Sequence, residues 1–353
     1  MNTTMMLDIP KNADCALITS DINRRYFTGM KSSAGMVLIF RDAAYLLIDF
    51  RYIEKARKTV KSCEVIEYKN LKEQISGLMK KHSANSIAVE AADMTLERMA
   101  FWEEKFPEFL FIKNNELSDN ISKMRTVKSP AEIEKIRSAQ KIAERAFDEV
   151  LNFIKPGVTE REISLCLDDF MLRNGAEAVS FDTIALCGKN TSMPHGVPSE
   201  CRVSDGDFVL MDFGAVYDGW HSDMTRTVCV GQPSERMKEV YDIVLRAQLK
   251  GIETVRAGIT GGELDRSARR VIEEAGFGDC FGHALGHGVG MEIHEAPTAS
   301  EKSETILKEN MVVTVEPGIY LPEEFGIRIE DFVVVAENGC DNLTTCPKKL
   351  IIL

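Results

Sequence analysis

The sequence predicts an α+β protein: a small α/β domain followed by a larger α+β domain. Three observations lead there. The chain has 353 residues, more than one ordinary domain, and it can bury a sizeable core without staples. Short apolar runs and helix-spaced segments alternate through roughly the first 120 residues. A strongly capped long helix then opens at Ser129, and behind it strands and helices recur in a different texture, with no internal repeat and no low-complexity segment.

In chain order, Cys15–Thr19, Met36–Phe40, Ala44–Asp49, Ile87–Glu90 and Phe109–Lys113 read as short apolar strands. Leu71–His82 and Leu96–Phe106 carry helical spacing. Ser129-Pro130-Ala131-Glu132 is a capping box with proline at the first helical position. Ile133, Ile136, Ala143, Phe147, Val150 and Ile154 form the apolar stripe of that helix, and Pro156-Gly157 ends it. Thr159-Glu160-Arg161-Glu162 opens a second capped helix that Asn174-Gly175 closes. The domain boundary falls near residues 118–128, giving domains 1–122 and 123–353. Beyond it, Asp207–Phe213, Thr225–Val230, Met311–Val315, Arg328–Val335 and Leu350–Leu353 read as strands, with helices near Glu235–Arg256 and Gly262–Ala275.

Composition excludes several classes. A net charge of −12 argues against a nucleic-acid partner, which needs clustered Lys and Arg. No stretch approaches a membrane span of roughly 20 apolar residues. Met1–Pro10 has no apolar run of signal-peptide length. The nine cysteines are scattered and contain no C-x-x-C pair, which fits reduced thiols filling a core in the cytoplasm.

Five of the six histidines lie between residues 195 and 294. His82, outside that cluster, reads as a surface residue, and His221 as structural. Four acidic residues stand at strand-like positions within about 120 residues: Asp212 inside Phe208–Phe213, Asp223 before Met224–Val228, Glu316 after Val312–Val315, and Glu330 before Phe332-Val333. A buried carboxylate is costly unless it is paired or metal-bound. Arg226 or Arg328 could neutralise one, but not all four. Four carboxylates and two divalent cations sum to zero charge. The turn formers between Asp212 and Asp223 suit a β-hairpin that brings both onto one face. His287 sits in Gly286-His287-Gly288, where backbone can approach closely. Oxygen-rich donors with one imidazole suit manganese or cobalt, and zinc less exclusively.

At these residues the chain resembles the pita-bread fold metallopeptidases: methionine aminopeptidase, Xaa-Pro aminopeptidase and prolidase. The shared stretches are Pro194–Gly196, Met211–Gly214, His221–Thr227, Gly286–Gly290, Ile293–Glu295, Thr314–Tyr320 and Gly326–Asp331. The first domain resembles the creatinase/prolidase N-terminal domain through Asn23–Gly29 and Ile48–Tyr52. Methionine aminopeptidases lack that domain, so its presence selects the proline-specific branch. The resemblance implies two divalent metal ions held by Asp212, Asp223, His287, Glu316 and Glu330, with Asp223 and Glu330 bridging. It implies Glu316 as proton carrier, His294 and His195 as catalytic and substrate-contacting histidines, and His283 and Arg328 as second-sphere or substrate-carboxylate contacts. It further implies an Xaa-Pro dipeptidase acting on short peptides with proline second, in a homodimer whose small domain reaches its partner's active site. One alternative is an Xaa-Pro aminopeptidase on longer peptides, since no basic residue follows His294-Glu295 until Lys302. The alternative of another class is an inactive or metal-free binding relative; such a relative should have lost ligands, yet all five positions carry Asp, His or Glu.

Overall fold

The computed structural model describes residues 6–353. Residue contacts divide them between Arg125 and Thr126.

The first unit is a mixed sheet between two helical layers. Its elements are β1 (Cys15–Ile18), α1 (Asp21–Thr28), β2 (Met36–Phe40), β3 (Ala44–Ile48), α2 (Ile53–Thr59), β4 (Glu64–Glu67), α3 (Leu71–Lys81), β5 (Ser86–Val89), α4 (Leu96–Lys105), β6 (Leu110–Ile112) and α5 (Glu116–Thr126). The strand order is β4-β3-β2-β1-β5-β6. Strands buried on both faces explain the near-continuous apolar runs. Alternation then sorts them: Ala16 and Ile18 pack with Phe27, Ile53 and Ile121, while Cys15 and Leu17 pack with Met79, Trp102 and Phe106.

The apolar runs located the strands to within a residue or so, apart from β4, but α1, α2 and α5 went unread. For α1 the signals were there: Ser20 caps its start, and Gly29 closes it at φ 70°, where a side chain is disfavoured. A boundary after residue 122 would cut α5. His82 is a further correction to the reading. Its side chain is 9% exposed, its ring stacks on Phe40 at 4.2 Å, and it bonds Tyr45 and Asp42.

The second unit opens with α6 (Pro130–Phe153) and α7 (Glu160–Arg173), both entered through complete capping boxes. Then come β7 (Ala178–Val179), β8 (Ile184–Cys187), β9 (Phe208–Phe213), β10 (Ala215–Tyr217), β11 (Trp220–His221), β12 (Met224–Cys229), α8 (Glu235–Thr254) and α9 (Gly261–Glu274). The remaining elements are β13 (Gly286–Gly288), β14 (Glu295–Ala299), β15 (Val312–Val315), β16 (Gly318–Leu321), β17 (Phe325–Arg328), β18 (Asp331–Ala336) and β19 (Gly339–Asn342). One core joins α6 and α7 to β8, β9 and β12; another joins α8 and α9 to β15, β17 and β18.

Two strand expectations change. Arg328–Val335 is two strands, because the chain breaks at Ile329-Glu330 between β17 and β18. Leu350–Leu353 is not a strand; it meets Cys229 through one isolated bridge, too little to continue a ladder. The turn between Asp212 and Asp223 is also more than a simple hairpin, since β10 and β11 form a separate small sheet with β7.

Candidate metal centre and substrate cavity

Strand register assembles the acidic residues. β9 pairs antiparallel with β12 so that Asp212 faces Thr225. Asp223, two residues before Thr225, therefore lies on the same face as Asp212, one diagonal step away. β15 pairs with β18 so that Val315 faces Asp331. The next residues along, Glu316 and Glu330, come together just past that pair. Glu330 N–H donates to Thr225 O at 3.1 Å, and Thr225 Oγ1 donates to Glu330 Oε2 at 2.7 Å. On β13, His287 N–H donates to Thr314 Oγ1 at 2.9 Å, and Thr314 Oγ1 donates to Glu316 Oε1 at 3.0 Å.

The donor atoms converge. His287 Nε2 lies 3.3 Å from Glu316 Oε1 and 3.6 Å from Asp223 Oδ2. One ligand atom each from Asp223, His287 and Glu330 lie within 4.8 Å of one another. His287 Nδ1 sits 3.1 Å from Gly288 O, a contact that assigns the proton to Nδ1 and leaves the Nε2 lone pair free to bind a cation.

These groups fit a divalent cation site. Asp212 Oδ1 and Glu330 Oε1 are buried without a hydrogen-bond partner. An orphaned buried carboxylate oxygen is costly unless a cation completes it. Burial among like charges also favours the protonated form of three of these carboxyls. Burial pushes Glu316 up to about 8, with Asp212 adding to the effect. Burial likewise raises Asp223 and Glu330, and neighbouring carboxylates add to both. Burial lowers His287, and burial followed by the charge of His287 lowers His294.

Beside the carboxylates, Arg328 and His283, both named from the sequence, are joined through Tyr320, which the sequence reading did not single out. Arg328 Nη2 pairs with Asp212 Oδ2, and Nη1 donates to Tyr320 Oη at 2.8 Å. Tyr320 Oη lies 2.9 Å from His283 Nε2, and His283 Nδ1 lies 2.8 Å from Ala284 O. Burial lowers His283 to about 4, so it is neutral and accepts from the tyrosine. The Arg328 Nε–H donates to Thr225 Oγ1. Tyr320, Thr225 and Thr314 all lie within quoted motifs, His221–Thr227 and Thr314–Tyr320, so their positions lay in plain view; only strand register showed which groups they bind.

All nine residues named from the sequence line one cavity of about 420 Å³: His195, Asp212, Asp223, His283, His287, His294, Glu316, Arg328 and Glu330. The His294 ring stands 4.4 Å from that of His287. Exposed His195 belongs to the loop after β8. Phe181, Ile184 and Ile293 add apolar wall. His221 is not among the lining residues; its ring bonds Ser180 Oγ at 2.8 Å.

Residues 134–337 match the model of metallopeptidase family M24, and residues 10–127 match the creatinase/prolidase N-terminal domain. The chain belongs to metallopeptidase family M24. It is an enzyme, a metallopeptidase, and membership of this family implies divalent metal ions. The chain is 39% identical to the Xaa-Pro dipeptidase of Pyrococcus furiosus, over 96% of this chain and 95% of that one. It is similar to the structure of an Xaa-Pro dipeptidase from Bacillus anthracis (42% identity, TM-score 0.92, 97% of this chain and 95% of that chain). It is similar, with the same TM-score, to the structure of an X-Pro aminopeptidase from Thermotoga maritima (39% identity, TM-score 0.92, 97% of this chain and 98% of that chain). Mixed sheets and helices of the prolidase kind are therefore the fold of this family member.

Proposed function

We propose that this enzyme is an Xaa-Pro dipeptidase that uses two divalent metal ions, manganese or cobalt, to split an N-terminal residue from proline. The observation that supports the reading is that five side chains able to bind a cation, two with orphaned oxygens, line one cavity with an apolar wall. Asp212 would hold one ion, His287 and Glu316 the other, and Asp223 and Glu330 both. Bound ions supply an acidified water and a polarised carbonyl.

The rest is the work of side chains. Glu316 takes the attacking water's proton and returns it to the proline nitrogen. His294 and His195 donate to the carbonyl oxygen as charge builds on it. His294, its pKa lowered by burial, is neutral near pH 7 and donates as an imidazole. Arg328 acts through Asp212: its guanidinium is spent on protein acceptors, so we assign it positioning rather than substrate contact, and His283 supports it through Tyr320. Phe181, Ile184 and Ile293 suit the proline ring by size and polarity.

A second reading, Xaa-Pro aminopeptidase, is favoured by one observation. Among the described residues lining the cavity, Arg328 is the one Lys or Arg, and it is already committed. A dipeptide's free carboxylate thus lacks an obvious cation partner. Assay of Ala-Pro against Ala-Pro-Ala with the metal-loaded enzyme separates the two: cleavage of the tripeptide alone rejects the dipeptidase. Metal analysis with and without chelator tests the class, because no bound ion and no activation by added manganese or cobalt would sink it.

The same reading makes the enzyme a cytoplasmic homodimer. Nine free thiols suit a reducing compartment, and Phe50, 80% exposed on the first unit, is surface such an interface would cover. Light scattering that returns a monomer mass overturns the dimer.

A further inference from the structure

Outside the metal cavity, one residue holds two cysteines in place. Glu160, fully buried at the start of α7, accepts the Cys187 N–H at 2.9 Å through Oε1, while its own N–H donates to Cys201 O at 3.0 Å. Its remaining capacity goes to Asn190 Nδ2 (2.9 Å), Ser199 N–H (2.9 Å) and Ser199 Oγ (2.6 Å). The two sulfurs stand 3.6 Å apart, with Cys187 Sγ placed to donate to Cys201 Sγ.

Glu160, Cys187 and Cys201 have the look of a cation site, but the carboxylate's four hydrogen bonds fill its lone-pair positions. The residue is a clasp, and what it clasps is a pair of thiols. Cys187, at the end of β8, is buried, and burial pushes its thiol up; Cys201 is exposed. That is the arrangement of an outer thiol open to oxidant and an inner thiol waiting to resolve it. The segment between them carries Pro194 and His195, both in the wall of the metal cavity.

We propose that Cys187 and Cys201 are a peroxide-responsive dithiol whose disulfide pins the segment that carries His195. The Cys201 thiolate attacks a hydroperoxide oxygen; the O–O bond breaks, hydroxide or alkoxide leaves and takes a proton, and Cys201 becomes a sulfenic acid. Cys187 sulfur then attacks that sulfur, the S–O bond breaks, and water leaves with the thiol proton. Two electrons pass from the thiols to the peroxide. The sulfurs must close from 3.6 Å to about 2 Å, a small shift because both backbones are already anchored to Glu160.

The test treats the metal-loaded enzyme with hydrogen peroxide. Titration of thiols after denaturation should fall from nine to seven, nine less the linked pair. Non-reducing peptide mapping should join Cys187 to Cys201, and dithiothreitol should undo the link. Amide exchange in residues 193–199 should slow in the oxidised enzyme. Cys201→Ser, at an exposed position, should keep the untreated enzyme's melting temperature and lose both effects. Oxidation of Cys201 to sulfinic acid without a link, a link to another cysteine, no reaction, or unchanged exchange in the linked protein would each overturn the proposal.

Discussion

Stripping divalent ions with a chelator leaves Asp212, Asp223, Glu316 and Glu330 facing one another, with Arg328 as the guanidinium in the cavity wall. Burial, reinforced by Asp212, then raises Glu316 from 4.5 to about 8. A carboxyl that binds its proton more tightly folded than unfolded stabilises the fold fully below its unfolded value. That contribution is lost as pH climbs through the folded value. The whole gap, at about 1.4 kcal/mol per tenfold, sets a ceiling of about 5 kcal/mol. The part of that gap lying between pH 6.5 and 8 is less than half of it and corresponds to a loss of about 2 kcal/mol. Asp223 and Glu330, also raised, act in the same direction. The buried histidines oppose them. His283, lowered from 6.5 to about 4, contributes stability above 6.5 that is lost as pH falls towards 4, and His287 and His294 share that sign. The two trends partly cancel below 6.5, so the net fall emerges between pH 6.5 and 8. A loss of about 2 kcal/mol corresponds to a drop of roughly 4–8 °C in melting temperature for a domain of this size. Differential scanning fluorimetry at constant ionic strength reads it directly. Added manganese should abolish the drop, and Glu316→Gln should shrink it in the chelated protein. A chelated protein whose melting temperature stays flat or rises from pH 6.5 to 8 would refute the reasoning.

Three further outcomes are expected. Arg226→Met removes a buried partner of Asp331, both side chains being at most 1% exposed, and strands the carbonyls of Glu330, Cys346 and Pro347; chemical denaturation should show a loss of about 3–5 kcal/mol. Tyr320→Phe leaves Arg328 Nη1 with the 3.4 Å contact to Pro194 O alone, so stability should drop by about 1–3 kcal/mol and metal affinity in equilibrium dialysis by about tenfold or more. His294→Ala should lower kcat by about 10²–10³ with metal content unchanged, and a kcat within tenfold of the parent would remove His294 from the reaction.

Much of this was legible because it is local. Capping boxes at Ser129 and Thr159 report their own helix starts, and the structure completes both. Apolar runs such as Met36–Phe40 mark strands because each residue's burial follows from two-residue alternation and sheet position. The identity of the acidic and histidine residues was readable for a related reason: a carboxylate inside or at the end of an apolar run is conspicuous wherever it folds.

What sequence alone determined, then, is which side chains are candidates for the chemistry and roughly where the helices and strands run. Only the tertiary structure decided how those side chains are paired. Arg328 could have held a substrate carboxylate; its bonds to Asp212, 116 residues away, and to Thr225, 103 away, commit it elsewhere. The break at Ile329-Glu330, the partnering of Tyr320 with His283, and the clasp of two cysteines by Glu160 have the same origin. Each depends on strand register and on contacts between distant segments, and no short-range pattern in the chain encodes the distance between two atoms brought together by folding.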